Sequence, residues 1–141
     1  MKIITDQNFL KIPCEKANLE EVSNIILQLE KSLKDSETEG IGLAANQIGI
    51  KKRIAIIRFN KIEIDLVNAD IVSSYDKILV DSEGCLSFPG RTEKTFRFND
   101  VHVKNEVYPY NFIVVGLLSV AIQHELDHLN GILFIERALP K

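Results

Sequence analysis

The sequence predicts an α+β fold, with antiparallel-rich mixed sheets packed around a core helix near the C-terminal end and a further helix on the N-terminal side. Three observations predict it. Apolar residues recur at helical spacing over 18–33, β-branched segments separated by short polar breaks fill the middle, and a second helical run stops at Gly131. The order is helix, strands, helix, with no strand–helix alternation, which favours antiparallel pairing. A chain of 141 residues is expected to form one domain, 1–141, with a core of its own.

The elements follow in order. In NLEEVSNIILQLEKSL, Asn18 stands as the N-cap and Glu21 falls three residues later, the spacing of a capping box. Leu19, Val22, Ile25, Ile26, Leu29 and Leu33 then make one apolar stripe, and the polar run KDSETEG ends the helix. GIGLAANQIG reads as a glycine-bearing loop. RIAIIRF, KIEIDLVNADIV and DKILVDS read as strands. DVHVKN and YPYNFIVV read as two arms of a hairpin turning near Asn105 and Glu106, and Pro109 starts the second arm at a sheet edge or irregularly. The second helix is expected from about Leu117 to Asn130, with Gly131 as its stop. GILFIER closes the chain as a short strand or extended tail.

Composition excludes several classes. Apolar residues at 45% and charged residues at 26% are ordinary for a soluble domain, and a net charge of −3 gives no bulk attraction to nucleic acid. The start MKIITDQNFLKIPCEK lacks the apolar core of a signal peptide, and the longest apolar run, FIVVGLLSVAI, is too short to span a bilayer. A disulfide between Cys14 and Cys85 is open to the sequence, but free thiols or ligands are the expectation, Cys14 as a simple buried thiol. A cytoplasmic monomer without membrane or direct nucleic-acid partners is the resulting expectation.

Chemistry concentrates in QHELDHLNG. His124 and His128 are four residues apart, share one helix face and can reach one ion, with Glu125 beside them as a base for an activated water. The helix around them is apolar almost all round, so a buried His–Glu–His cluster without a task would be costly. Catalytic sites of this kind keep three protein ligands and an open position. His102 alternates with Val101 and Val103 and points away from their face, whereas Cys85 in DSEGCLSFPG sits on a turn at a strand end. Elimination favours Cys85, His124 and His128. Asp127 either orients a ligand or makes an exposed ion pair, and Glu83 with Arg97 makes a buried pair fixing the cysteine loop, a solvated pair or no contact.

Three stretches, GIGLAANQ (Gly40 to Gln47), EGCLS (Glu83 to Ser87) and QHELDH (Gln123 to His128), together resemble the signatures of the peptide deformylase family, in the family's order. The resemblance implies a metal-dependent hydrolase that removes the formyl group from N-formylmethionyl nascent polypeptides, by attack of a metal-bound water on the formyl carbon. It implies that Cys85, His124 and His128 hold the ion, that Glu125 is the base, and that the Gln47 amide and the Leu86 backbone N–H stabilise the oxyanion. One sulfur and two nitrogens ordinarily suggest zinc; the resemblance implies Fe²⁺ in the cell, with Zn²⁺ or Ni²⁺ in a purified sample. Leu117, Val120 and Ala121 lie seven, four and three residues before His124, on its face, and with Ile41 are candidates for a methionine slot. Gly42 is the position expected to pair with substrate backbone.

Some features depart from that pattern. Asn46 stands where proline or threonine is common, and Arg91 is placed differently from the arginine many members carry. The chain stops at ALPK without the long C-terminal helix of many bacterial enzymes, which resembles compact bacteriophage-encoded members, so ribosome contact is not assumed. The implied location is a bacterial cytoplasm, or that of a host if phage-encoded. Two other readings stay open: an HExxH metallopeptidase cutting internal bonds, and a non-catalytic metal-binding module with a closed site.

Overall fold

A computed structural model describes residues 2–36 and 39–140. A short helix α1 (Gln7–Leu10) precedes the long helix α2 (Leu19–Asp35). Then come the strands β1 (Gly42–Ala44), β2 (Ile54–Phe59), β3 (Ile62–Val67), β4 (Asp70–Gly84), β5 (Thr92–Lys104) and β6 (Asn111–Val115), and the helix α3 (Gly116–Leu129). They form two three-stranded sheets, ordered β1-β2-β3 and β4-β5-β6, with every strand pairing antiparallel. The α+β class read from the sequence is therefore the observed one.

Helix α2 begins at Asn18, whose backbone N–H donates to the Glu21 carboxylate at 2.8 Å. Val22, Ile25 and Leu29 are buried, but Leu19 at the first turn is 67% exposed, so the stripe starts one turn later than its spacing suggests. Residues 37 and 38 of the expected stop lie outside the described residues; the helix's last residue is Asp35. The apolar run of β2 serves two neighbours. Ile54 and Ile56 pack with Val22, Ile25 and Leu29 of α2, while Ala55 and Ile57 face the opposite way, toward Ile122, Leu126 and Leu129 of α3. Burying one such Ile or Leu contributes about 1.5–3 kcal/mol. Val101 and Val103 of β5 reach the same cluster, so α3 is clasped by both sheets.

Five expectations are corrected. GIGLAANQIG is not a loop throughout: Gly42–Ala44 pair with Ile57, Ile56 and Ala55 of β2, and Ala45–Ile48 form a 3-10 turn. KIEIDLVNADIV is not one strand. Asn68 adopts φ 49°, a left-handed conformation that asparagine tolerates, and its side chain is fixed by Ala17 N–H and C=O at 2.8 and 3.0 Å, which divides β3 from β4. DKILVDS is the continuation of that long β4. The first hairpin arm begins at Thr92, eight residues before DVHVKN. GILFIER ends in a 3-10 turn, Phe134–Arg137, closed by the Leu133 N–H on the Glu136 carboxylate at 2.7 Å. Pro109 precedes an edge strand, as expected. Among the described residues no helix is long and apolar enough to cross a membrane.

Candidate metal centre

β4 delivers the first donor. Its register slips between Val80 and Glu83, and after this bulge the Glu83 side chain is buried, 6% exposed, while Cys85 follows directly past the strand end. The Phe88 N–H closes a turn on the Cys85 carbonyl at 2.9 Å. Helix α3 delivers the others: His124 and His128 are one turn apart, with ring centroids at 4.9 Å. Their donor atoms and the Cys85 sulfur all lie within 4.8 Å of one another, and Sγ is 3.3 Å from His128 Nε2. His124 Nδ1 is engaged by the Glu83 carboxylate at 2.7 Å, which leaves Nε2 for the centre. The donor set is one thiol and two imidazoles. It fits a divalent ion with an open fourth position, because no fourth side chain joins the group among the described residues.

Electrostatics agree with that fit. Burial opposes a charge on Glu83, yet hydrogen bonds from Arg97 (2.5 and 2.9 Å) and His124 hold its carboxyl down at about 2. Burial also opposes a proton on His124, but the Cys85 sulfur and Glu83 outweigh it and raise that ring to about 10. His128 is driven well below its ordinary value, by burial first and then by the charge at His124. Holding the His128 ring toward its neutral form leaves a ring nitrogen free to donate to a cation. Arg97 reaches on to Asp127 at 2.6 Å, and Arg137 holds the same carboxylate at 3.0 Å. Of the buried pair, the solvated pair and no contact, the Glu83–Arg97 relationship is the buried pair.

Glu125 is 4% exposed, and its Oε1 has no hydrogen-bond partner among the described residues. Desolvation raises its carboxyl to about 7, near the range in which an acid–base group works. Gln47, from the 3-10 turn, accepts the Ala44 N–H at 2.9 Å and donates to Ser87 Oγ at 3.1 Å and toward Cys85 Sγ at 3.6 Å. These groups open on a cleft of about 440 Å³. Ile41, Gly42, Leu86, Leu117, Val120 and Ala121 all line it, with Leu117, 51% exposed, at the rim. His102 lies elsewhere, on β5 beside Asn111, and Cys14 is buried away from the centre, its thiol pushed up to about 11 by burial.

Two neighbours were not singled out in the sequence. Ser87 anchors the Gln47 amide, and the Phe88 ring packs edge-on against Phe134 at 5.2 Å, with Phe134 6.0 Å from His124. The run LSFPG after the cysteine was the available signal. Arg91 lines the same cleft, paired with Glu93 at 3.0 Å.

The polypeptide deformylase family profile matches residues 1–141. A peptide deformylase of Natranaerobius thermophilus is 42% identical over 135 residues, 89% of this chain and 86% of that protein. One from Aquifex aeolicus is 37% identical over 146 residues, covering 96% and 85%. Among solved structures, a peptide deformylase from Synechococcus elongatus in complex with actinonin superposes with TM-score 0.89 at 31% identity, over 100% of this chain and 79% of that one. The enzyme of Vibrio parahaemolyticus bacteriophage VP16T, also with actinonin, gives 0.85 at 32% identity over 94% and 99%.

Proposed function

The chain belongs to the peptide deformylase family and is a metal-dependent hydrolase for the N-terminal formyl group of nascent polypeptides; on that premise we propose which residues carry the reaction. One domain, 1–141, contains the whole site. The observation that carries the assignment is the convergence of Cys85, His124 and His128 within 4.8 Å beside a buried carboxylate oxygen that has no hydrogen-bond partner among the described residues.

Cys85, His124 and His128 hold the ion, Fe²⁺ in the cell and Zn²⁺ or Ni²⁺ in a purified sample. When bound, the ion supplies Lewis acidity and makes water acidic enough to react near neutral pH. Glu125 takes the proton of the attacking water at Oε1 and hands it to the departing amine nitrogen. The Gln47 amide and the Leu86 N–H donate to the formyl oxygen as it gains charge; losing one such donor costs about 3–4 kcal/mol of barrier. Glu83 fixes the His124 ring with Nε2 facing inward. Ile41, Leu117, Val120 and Ala121 form the slot for the methionine side chain. Among the described residues β1 is paired on one side only, so peptide backbone adds to its other edge at Gly42.

The enzyme works as a monomer in a bacterial cytoplasm, its own or a phage host's, on N-formylmethionyl nascent peptides and without a direct nucleic-acid partner. Anaerobic formate release from formyl-Met-Ala-Ser with added Fe²⁺ tests the assignment, wild type beside Cys85→Ser. The wild type is expected to release formate and the variant to lose both ion and activity. A variant that keeps both would remove Cys85 from the ligand set.

A further inference from the structure

The residue beside Gln47 has no assigned part in the reaction, yet Asn46 is fully buried, at 0% exposure, among apolar neighbours that include Ala44, Ala45 and Ile48. Its Nδ2 donates to the His128 backbone carbonyl at 2.8 Å, a contact spanning 82 residues of sequence. Its Oδ1 has no partner among the described residues. An amide that leaves one buried atom unpaired is a poor choice for filling space, since an apolar side chain would avoid that penalty. The donated hydrogen bond is what the asparagine contributes.

The carbonyl it reaches matters. His128 is in the last turn of α3, where carbonyls lack partners within the helix. The Gly131 N–H also reaches the His128 carbonyl, at 3.0 Å, and Asn46 approaches it from outside the helix. In the adjacent position, Gln47 points its amide at Ser87 and Cys85. One 3-10 turn, closed by the Gly49 N–H on the Asn46 carbonyl at 3.1 Å, therefore grips the neighbourhoods of two donors that arrive on different elements.

Resting on the ion-binding reading above, we infer that Asn46 is a positioning residue that fixes His128 relative to Cys85 and so sets how tightly the ion is held. The test compares wild type, Asn46→Ala and Asn46→Asp, with Val22→Ala as a core variant remote from the centre. Zn²⁺ retention is measured against a chromophoric chelator, and the absorption bands are recorded after Co²⁺ loading. Both Asn46 variants are expected to hold Zn²⁺ about 10–100-fold more weakly and to shift the Co²⁺ bands, the usual effect of losing a residue that orients a ligand. Val22→Ala should lower Tm and leave both readouts unchanged.

Folded Asn46 variants that match the wild type in both readouts overturn the inference, while the ion-binding reading stands. A wild type whose Co²⁺ spectrum lacks a thiolate band overturns both. Should neither variant fold, the wild type decides by NMR. The Asn46 side-chain amide protons must resist exchange and shift when Zn²⁺ is added; protons that exchange freely and ignore the ion refute the role.

Discussion

Glu83 Oε2 stands 2.7 Å from His124 Nδ1, so the carboxylate that orients one imidazole of the centre is the same group that neutralises the buried guanidinium of Arg97. Arg97 is 3% exposed, and removing Glu83 would leave its guanidinium only Asp127, a carboxylate it shares with Arg137. Glu83→Gln is expected to destabilise the protein by roughly 3–5 kcal/mol and to weaken ion retention roughly tenfold or more. Urea denaturation and chelator competition measure the two effects. The folded carboxyl sits at about 2, below its ordinary 4.5, so its stabilising contribution is complete above pH 4.5 and is lost as pH falls toward 2. That acid-side loss should be absent in the variant.

Glu125→Gln keeps the shape of the side chain and removes its basicity. Formate release is expected to fall roughly 10²- to 10⁴-fold while the bound ion stays stoichiometric. Deformylation at wild-type rate by an ion-loaded Glu125→Gln would dismiss the carboxylate as the base.

Gly42 has no room for a side chain. A Cβ there would stand 2.8 Å from Glu125 Oε2, 2.8 Å from the Ile56 carbonyl and 2.9 Å from Ile57 Cδ1. The carbonyl belongs to the β2 backbone and cannot step aside without moving the sheet. Gly42→Ala is expected to lower kcat/KM roughly 10- to 100-fold through displacement of Glu125 and the strand edge, with the ion retained. Steady-state kinetics on a formylmethionyl peptide check this, and an unaltered kcat/KM would show that the edge yields.

Cys14 offers an alkaline counterpart. Burial raises its thiol to about 11 from an ordinary 9.0, and its neutral form packs in the core against α3. The folded value lies above the unfolded one, so stability is full below pH 9 and declines as pH rises through 11. Urea midpoints at pH 8 and pH 10.5 should fall further apart in the wild type than in Cys14→Ala. At pH 8, thiol titration of the native, ion-free protein should find Cys85 and miss Cys14 until unfolding.

What the sequence disclosed follows the range of the forces involved. His124, Glu125 and His128 were legible because helical spacing is a local rule, and Cys85 because Gly, Ser and Pro around it spell a turn. β1 has the sequence of a loop, since three residues of glycine, leucine and alanine form a strand only through partners on β2. The start of β5 is hidden for a different reason. Thr95 and Arg97 point inward to Glu83 while Phe96 and Phe98 face out, so the expected alternation of apolar and polar residues is inverted where the centre needs support. Asn68 divides two strands by bonding to Ala17, fifty-one residues away in sequence, a contact that no window of sequence contains. Asn46 was visible as an unusual residue, but its partner at 128 was not.

The Cys14 N–H bonds the Leu129 carbonyl at 2.9 Å, and Gly131 lies so close to the Lys11 backbone that a methyl group would collide with it. The segment before α2 is thus seated on the end of the helix that carries both imidazoles. A copy cut short before α3 would have neither imidazole nor a berth for that segment.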